Sequence, residues 1–174
     1  MGFFTGKGDS GQTSLPGNNR LPKSDPIFDL LGILDEATAY LGLAISLSSN
    51  PCIIADMRTI QDDLSKFMGA IAGVEKTTSG VHFDTQERIT WLEERISYYA
   101  SNLDTPHAFV YPGMTASGAA TDISRTIVRK AERLYVRIYN ENNAMFAGIA
   151  FLNRLSSLLF VMRLFIDNQA KTSA

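Results

Sequence analysis

Residues 124–133 read SRTIVRKAER and place four basic residues within ten positions of a helical pattern. On a helix, Arg125, Arg129 and Glu132 share one stripe, because positions three and four apart lie on the same face. Apolar residues at helical spacing mark another side, which favours burial against neighbouring helices. The side expected to face the core comprises Ile123, Ile127, Leu134 and Ile138. The stretch therefore predicts one amphipathic helix of a bundle.

The charged stripe has two interpretations. Three of the four basic residues in the whole stretch are arginines. A guanidinium keeps its charge when partly buried and binds carboxylates or phosphates through paired hydrogen bonds, which suits an anion site in a crevice. The alternative is an ordinary solvated face of a bundle helix, and these ten residues alone leave both open.

The composition of the chain limits the classes of protein and of site. With 174 residues, of which 45% are hydrophobic, it suits one domain with a full core. The net charge of -2 gives no general attraction to nucleic acid, so any anion site must be local. The single cysteine, Cys52, excludes an internal disulfide framework, and the separation of His82 from His107 predicts no zinc site built by the protein.

Hydrophobic patterning predicts neither a membrane span nor a signal peptide. The longest apolar run, residues 158–162, ends at Arg163 and is far shorter than a span. The N-terminus lacks a basic region followed by an apolar stretch, and Gly6 stands where a myristoylation signal needs Ser or Thr. We therefore expect a soluble, cytoplasmic protein with no nucleic-acid or membrane partner.

Hydrophobic periodicity after Pro26 predicts five helices and no credible strand. Proline early in the first helix and a capping box formed by Asp84 and Glu87 mark two helix starts. The expected helices cover residues 26–47, 52–72, 84–103, 117–139 and 144–169. The predicted fold class is all-α, a five-helix up-and-down bundle, with a loop at 1–25 and one bundle domain at 26–170.

Residues 1–25 are rich in Gly, Ser, Thr, Pro and Asn, so we expect no regular element there. Residues 5–14 are dense in glycine and hydroxyl groups, as in backbone nests that hold phosphates, with disorder as the ordinary alternative. Gly6, Gly8 and Gly11 spell GxGxxG, but no strand precedes them and no βαβ pattern follows, which excludes a dinucleotide-binding fold. A Walker A loop is excluded as well, because Lys7 does not follow its glycine frame.

Two further features lie in the second half of the chain. The segment FVYPG at 109–113 is predicted to be a buried connector ending in a turn, and core packing is the ordinary role for Phe109. Asn153 lies beside the apolar seam of the fifth helix and needs a hydrogen-bond partner.

Several blocks of the sequence, taken in order, resemble the PduO-type ATP:cob(I)alamin adenosyltransferases over nearly the whole chain. Each block alone is weak, and their common order makes the resemblance specific. The blocks are FTGKGDSGQTS at 4–14 followed by KSD at 23–25, GILDE at 32–36, FVYPG at 109–113, RTIVRKAER at 125–133 and FLNRLS at 151–156.

The resemblance implies a homotrimer of five-helix bundles with active sites between subunits. It implies that ATP, with Mg²⁺ on its triphosphate, is held by the N-terminal loop of one chain and by helix four. The 5′-deoxyadenosyl group is then transferred to the cobalt of a reduced corrinoid, cob(I)alamin, and triphosphate is released. The residues it assigns to ATP are Thr5, Gly6, Lys7, Gly8, Thr13, Lys23, Arg129, Lys130, Ala131, Glu132, Arg133 and Asn153.

Four residues carry the reaction in this resemblance. Arg129 stabilises the leaving triphosphate, and Arg125 pairs with Asp35 of the neighbouring subunit, each ion being otherwise short of a partner. Phe109 projects into the corrinoid site and displaces the lower axial base, which leaves cobalt(II) four-coordinate and easier to reduce. Cobalt(I) is itself the nucleophile, so no Ser, Cys or His is needed for attack.

The sequence departs from the family pattern at Lys7, at Ala37 and Thr38, at Lys130 and at Ser157, and the changes at Thr38 and Ser157 put hydrogen bonding that supports the site in doubt. Lys130 keeps a charge but gives up two-point hydrogen bonding. Two alternatives to an enzyme stay open: a non-catalytic corrinoid or nucleotide carrier, and a purely structural bundle. An enzyme of this class also implies two further partners, a reductase and a cobalamin-dependent acceptor enzyme.

Overall fold

The structure, a computed structural model, describes residues 6, 8–16, 20–73, 83–104, 108–139 and 143–172. The five predicted helices are confirmed, and most of their ends lie within a few residues of the expected positions. The elements are β1 Gln12–Ser14, β2 Arg20–Pro22, α1 Pro26–Ser46, α2 Pro51–Ile71, α3 Thr85–Ala100, α4 Ala116–Ile138 and α5 Asn143–Thr172.

The starts of the first four helices are fixed by capping side chains. Asp25 accepts a hydrogen bond from the amide of Ile27 at the start of α1, and Pro26 occupies the first helical position, where its missing N–H costs nothing. The other N-caps are Asn50, Asp84 and Thr115, each accepting from backbone amides of the first turn. These caps are local sequence signals, which is why the helix starts could be predicted.

The helices pack in a ring. Helix α4 lies between α1 and α5, α5 also packs on α3, and α1 packs on α2. Two ion pairs, Arg88–Asp63 and Arg95–Asp56, join α3 to α2 and close the ring. The core inside it is continuous from α1 to α5.

Contacts along α4 show how its neighbours run. The hydroxyl of Ser117 donates to the carbonyl of Ala44 (2.9 Å), and that of Ser124 to Ala37 (3.2 Å), so residue numbers rise on α4 while they fall on α1. Helix α5 is likewise antiparallel to α4, because Asn153 contacts Glu132 whereas Asp167 contacts Thr115 at the start of α4. The up-and-down course expected from the sequence is therefore observed in the described helices.

The buried side of α4 differs from the predicted one. Ile127 is buried, but Ile123 is 40% exposed, and Leu134 and Ile138 only flank the core. The fully buried face instead carries small residues, which let α1 approach closely and let hydroxyl groups bond to its carbonyls. Its members include Ser117, Gly118, Ala120, Thr121, Ser124, Val128 and Ala131. Placing Ile123 toward the core was wrong.

The expectation of no regular element before the bundle was also wrong. Strands β1 and β2 pair antiparallel, with Thr13 opposite Leu21, and these two side chains are half-buried while their neighbours are exposed. Gly11 (φ 75°) adopts a left-handed conformation that glycine tolerates, and its carbonyl accepts the amide of Lys23. Three-residue strands are too short to leave an alternating pattern in the sequence.

Helix α5 is strongly apolar. By length and composition alone Ala147–Lys171 could span a membrane, because its most apolar 18-residue window has a mean hydropathy of 1.7. Half of its most apolar window is buried inside the bundle, and Arg163 lies within it, nearly inaccessible to solvent. A buried core helix accounts for this composition.

Candidate active site

The connector before α4 presents aromatic side chains to solvent. Phe109 is 79% exposed and Tyr111 81% exposed, with their rings 5.0 Å apart in an edge-to-face arrangement. The expectation of a buried connector, with Phe109 as a core residue, was wrong. Its backbone is held instead by the Val110 carbonyl, which accepts a hydrogen bond from Arg163 (2.8 Å), and Gly113 (φ 107°) then turns the chain toward α4.

Phe109 borders a cleft of about 520 Å³ between this connector and helices α4 and α5. An apolar cleft bordered by an exposed ring can receive a large, partly apolar ligand, and a few polar groups at its base can orient it. The lining residues are Ala108, Phe109, Val110, Pro112, Asp122, Arg125, Phe160 and Arg163.

The base of the cleft is charged. Arg125 donates to Asp122 through Nε (2.8 Å) and Nη2 (3.1 Å), and Arg163 approaches the same carboxylate at 3.5 Å. Burial alone would raise the pKa of Asp122, but the hydrogen bonds and charges of the two arginines outweigh it and hold the pKa below its ordinary value of 3.8. Asp122 is therefore ionised at neutral pH and fixes the orientation of Arg125.

Arg125 and Asp35 do not meet within the chain. Asp35 is exposed in a depression between α1 and α2, which Leu31 and Met68 also line, whereas Arg125 lies between α4 and α5. The expectation that Arg125 lacks another partner was wrong, because Asp122 supplies one a turn earlier on the same helix. Their pairing across subunits stays a prediction, and it would use guanidinium N–H groups that Asp122 does not occupy.

The outer face of α4 carries the remaining cations. Arg129 and Arg133 are exposed and make no hydrogen bond or ion pair with any other described residue. Lys130 lies 4.0 Å from Glu36, both about half exposed, a contact of little energetic value. Ala131 is fully buried, so it can position the helix but cannot offer a side chain to a ligand.

Glu132 and Asn153 meet between α4 and α5. The side-chain amide of Asn153 donates to Glu132 (3.2 Å), and its oxygen accepts from Arg154 (2.9 Å), which also binds Glu93 (2.8 Å). The partner that Asn153 required is thus found. This chain of polar contacts holds one end of the basic face in place.

The N-terminal residues form a separate group. A Cβ atom added to Gly8 would lie 3.0 Å from Nζ of Lys23, so the ammonium group rests against the glycine backbone. Gly6 (φ 67°) begins the turn that precedes this contact, and its carbonyl accepts the amide of Asp9. Thr13 lies in β1. Thr5 and Lys7 fall outside the described residues.

The structure therefore assembles the expected residues into separate groups. Phe109 and Arg125 share the cleft, Glu132 contacts Asn153, and Gly8 contacts Lys23. Arg129 and Arg133 make no hydrogen bond or ion pair with the hairpin in the part of the chain that the structure describes. The two halves expected for ATP are not joined by such contacts within the chain.

Two of the departures from the family pattern have structural roles of their own. The Thr38 hydroxyl donates to the Leu34 carbonyl within α1 (3.0 Å), and the Ser157 hydroxyl donates to that of Asn153 within α5 (3.1 Å). Both hydroxyls are thus used by their own helices.

Sequence reasoning missed three residues at the cleft: Asp122, Phe160 and Arg163. Asp122 precedes Arg125 by three positions, the spacing of a helical ion pair, and Arg163 interrupts an apolar helix where a charge needs a partner. The spacing of Asp122 and Arg125 and the charge of Arg163 in an apolar run can both be read from the sequence. The ring of Phe160 lies near both guanidinium groups, at 5.9 Å from Arg125 and 5.6 Å from Arg163.

The helical ring and this cleft define the class of protein, a five-helix bundle with an apolar cleft beside a basic helix. The sequence profile of the cobalamin adenosyltransferase family matches residues 3–166, so the chain belongs to that family. The family predicted from the sequence is confirmed.

Relatives and solved structures agree with this assignment. The corrinoid adenosyltransferase PduO of Salmonella typhimurium is 29% identical over 171 residues, covering 98% of this chain and 51% of the relative. The Bacillus subtilis corrinoid adenosyltransferase is 32% identical over 164 residues, covering 92% of this chain and 83% of the relative. The chain thus spans about half the length of the Salmonella protein.

The fold itself matches solved structures of Lactobacillus reuteri PduO-type ATP:corrinoid adenosyltransferase variants. A phenylalanine-to-histidine variant complexed with cobalamin and ATP has a TM-score of 0.88 and 28% identity, covering 98% of this chain and 93% of that one. An arginine-to-lysine variant complexed with ATP has a TM-score of 0.84 and 28% identity, covering 97% and 96%.

Proposed function

We propose that this protein transfers the 5′-deoxyadenosyl group of ATP to the cobalt of a reduced corrinoid, forming adenosylcobalamin and releasing triphosphate. The observation that carries the proposal is the cleft beneath the exposed ring of Phe109, with Arg125 at its base, in a chain of this family. A related enzyme of the same fold binds cobalamin and ATP together.

The reaction requires little covalent chemistry from the protein. The electron pair of cobalt(I) attacks C5′ of the ribose, the C5′–O bond breaks, and its electrons leave with the triphosphate. The protein must align the two substrates and stabilise the charge that develops on the leaving group. Exposed cations on α4 suit the second task, and we assign Arg129 to the triphosphate, with Lys130 and Arg133 beside it.

The corrinoid side of the reaction is assigned to Phe109. Its ring stands in solvent at the rim of the cleft, where an isolated chain gains nothing from exposing it. Placed against the lower face of the corrin ring, it excludes the axial base and leaves cobalt(II) four-coordinate. Removing that ligand makes reduction to cobalt(I) easier, which is the step that creates the nucleophile.

The N-terminal hairpin would hold the nucleotide from the other side. The ammonium group of Lys23 over Gly8 offers a cation beside closely approachable backbone, as phosphate binding requires. We assign Thr5, Gly6, Lys7 and Thr13 to the same loop. Mg²⁺ would arrive on the triphosphate of ATP as part of the substrate. Among the described residues, no three His, Cys, Asp or Glu side chains cluster to hold a metal ion.

We infer a homotrimer with active sites between subunits. Asp35 and Arg125 line different faces of one chain, so their pairing needs a second copy. The hairpin and the cations of α4 are likewise unconnected by hydrogen bonds or ion pairs within the described residues. A cytoplasmic location, a reductase that supplies the electron and an enzyme that accepts the product complete the proposal.

The deciding experiment is anaerobic incubation of the protein with MgATP and chemically reduced cobalamin. We expect the absorbance change of cobalt–carbon bond formation, dependent on both substrates. Binding of both without that change would establish the alternative of a non-catalytic carrier. Failure to bind either would leave only a structural bundle.

A further inference from the structure

Arg163 is a fully buried arginine beneath the candidate corrinoid cleft. It lies on α5 and is only 2% exposed. Its Nη2 donates to the carbonyl of Val110, the residue after Phe109, at 2.8 Å. Its Nε lies 3.5 Å from the carboxylate of Asp122, which binds Arg125 through two shorter hydrogen bonds. One guanidinium therefore contacts both the connector that carries Phe109 and the carboxylate that orients Arg125.

A second carboxylate completes this buried cluster. Asp167 lies one turn after Arg163, with its Oδ2 3.8 Å from Nη1, and neither atom has a hydrogen-bond partner in the described structure. The other oxygen of Asp167 accepts from the hydroxyl of Thr115 (2.7 Å), the N-cap of α4. A Cβ atom on Gly118 would collide with this oxygen, so glycine is what allows the approach.

A buried ionic cluster is weak evidence for stability. Its desolvation cost often cancels its attraction, and well-packed apolar residues commonly replace such groups without loss. What the guanidinium provides here, and an apolar side chain cannot, is a fixed fork of donors pointing in defined directions. The directions are specific: one donor holds a backbone carbonyl of the connector, and another faces the carboxylate bound to Arg125.

We propose that Arg163 is a positioning residue that holds Phe109 and Arg125 in one fixed arrangement for the corrinoid. It acts through the Val110 carbonyl and through Asp122, and touches neither substrate. This inference rests on the proposed function for its catalytic consequence. Its structural consequence, an ordered connector at 108–114, does not depend on it.

The test compares Arg163→Met with Arg163→Lys and with Arg88→Met. Methionine fills the space of the arginine stem, and it leaves Asp122 paired to Arg125 and Asp167 bonded to Thr115, so the chain can still fold. Arg88→Met strands the buried Asp63 far from the cleft and serves as the control for lost stability alone.

Three measurements distinguish positioning from general damage. In Arg163→Met, kcat/KM for the corrinoid should fall about 10- to 100-fold, because small displacements of aligned groups are costly. The dissociation constant for MgATP should stay unchanged. The fraction of four-coordinate cobalt(II), measured by electron paramagnetic resonance with MgATP bound, should fall as well. Arg163→Lys should recover part of both losses, since it keeps the charge but not the fork.

Backbone 15N relaxation supplies a readout that needs no activity. In the ligand-free protein, Arg163→Met should lower the amide order parameters at 108–114, because the hydrogen bond to the Val110 carbonyl is lost, and Arg88→Met should not. Unchanged order parameters there overturn the inference whatever the kinetics. Equal losses for ATP and corrinoid, in parallel with melting temperature, would also overturn it. A wild-type protein that forms no cobalt–carbon bond would refute the proposed function and leave the positioning of the connector to the relaxation measurement.

Discussion

Arg125 and Asp122 lie one turn apart on α4 and are joined by two hydrogen bonds, of 2.8 and 3.1 Å. The carboxylate is almost completely buried, whereas the guanidinium is a quarter exposed at the cleft. This geometry makes Asp122 the fixed member of the pair. Arg125 therefore presents its remaining donors in a defined direction, toward whatever binds in the cleft or at a subunit boundary.

The first prediction concerns Asp122→Asn. The neutral amide leaves Arg163 buried without a full counter-charge, and breaking a buried pair costs about 3 to 5 kcal/mol. We expect the free energy of unfolding, measured by urea titration at pH 7, to fall by about that amount. Asp62→Asn, which breaks an exposed pair with Lys66 on α2, should cost less than about 1 kcal/mol.

The stability difference between wild type and Asp122→Asn should depend on pH. The pKa of Asp122 is lower in the folded chain than its ordinary value of 3.8, so the unfolded chain binds more protons around that pH. The stabilisation is therefore complete above the ordinary value and lost as the pH falls through the lowered pKa. The difference in unfolding free energy between wild type and Asp122→Asn should shrink in acid. A difference that stays constant down to about pH 3 would contradict the lowered pKa.

The helices of this fold could be predicted because their signals are local. Asp25 with Pro26, and Asp84 with Glu87, announce helix starts through hydrogen bonds that span two or three residues. Apolar residues at helical spacing then define a face without reference to any partner. Neither signal says which helices become neighbours.

The features that could not be predicted, such as which side chains are buried, depend on contacts between residues that are distant in the sequence. Ser124 looks like a surface residue, yet it is buried because its hydroxyl bonds to a carbonyl of α1. Phe109 looks like a core residue, yet it is exposed, since its connector is held by the Val110 carbonyl rather than by the ring. The sequence does contain a signal at Arg163, because a charge inside an apolar helix requires a buried acceptor.

Arg129→Ala should separate an anion site from a solvated face. If Arg129 stabilises the leaving triphosphate, kcat/KM should fall about 30- to 1000-fold, corresponding to about 2 to 4 kcal/mol for one such donor. Arg137→Ala removes another exposed arginine near the end of the same helix and should have no effect. Equal turnover of the two variants in a steady-state assay would exclude Arg129 from the reaction.

Lys23→Ala should weaken the nucleotide side of the site alone. Its ammonium group is held against Gly8, where it could meet a phosphate oxygen, and a hydrogen bond to a charged group accounts for about tenfold or more in affinity. We expect a higher KM for ATP and an unchanged KM for the corrinoid. Gly8→Ala should shift the KM for ATP in the same direction by displacing Lys23. Unaltered ATP kinetics in both variants would remove the hairpin from the site.

Phe109→Ala should impair the corrinoid side of the reaction and leave the nucleotide side unchanged. The ring is exposed, so its removal creates no cavity and the melting temperature should stay unchanged. Affinity for MgATP should also be retained, whereas adenosylation that starts from cobalt(II) should fall at least about tenfold, because the lower axial ligand is no longer excluded. The measurement pairs steady-state kinetics with the electron paramagnetic resonance signal of four-coordinate cobalt(II). Met114→Ala, which truncates another exposed side chain of the same connector, is the control.

Supplying chemically reduced cobalt(I) should restore more of the lost rate in Phe109→Ala than in Arg129→Ala, since Phe109 acts on reduction and Arg129 on the leaving group. Equal rescue of the two variants would show that Phe109 does not act through the axial ligand.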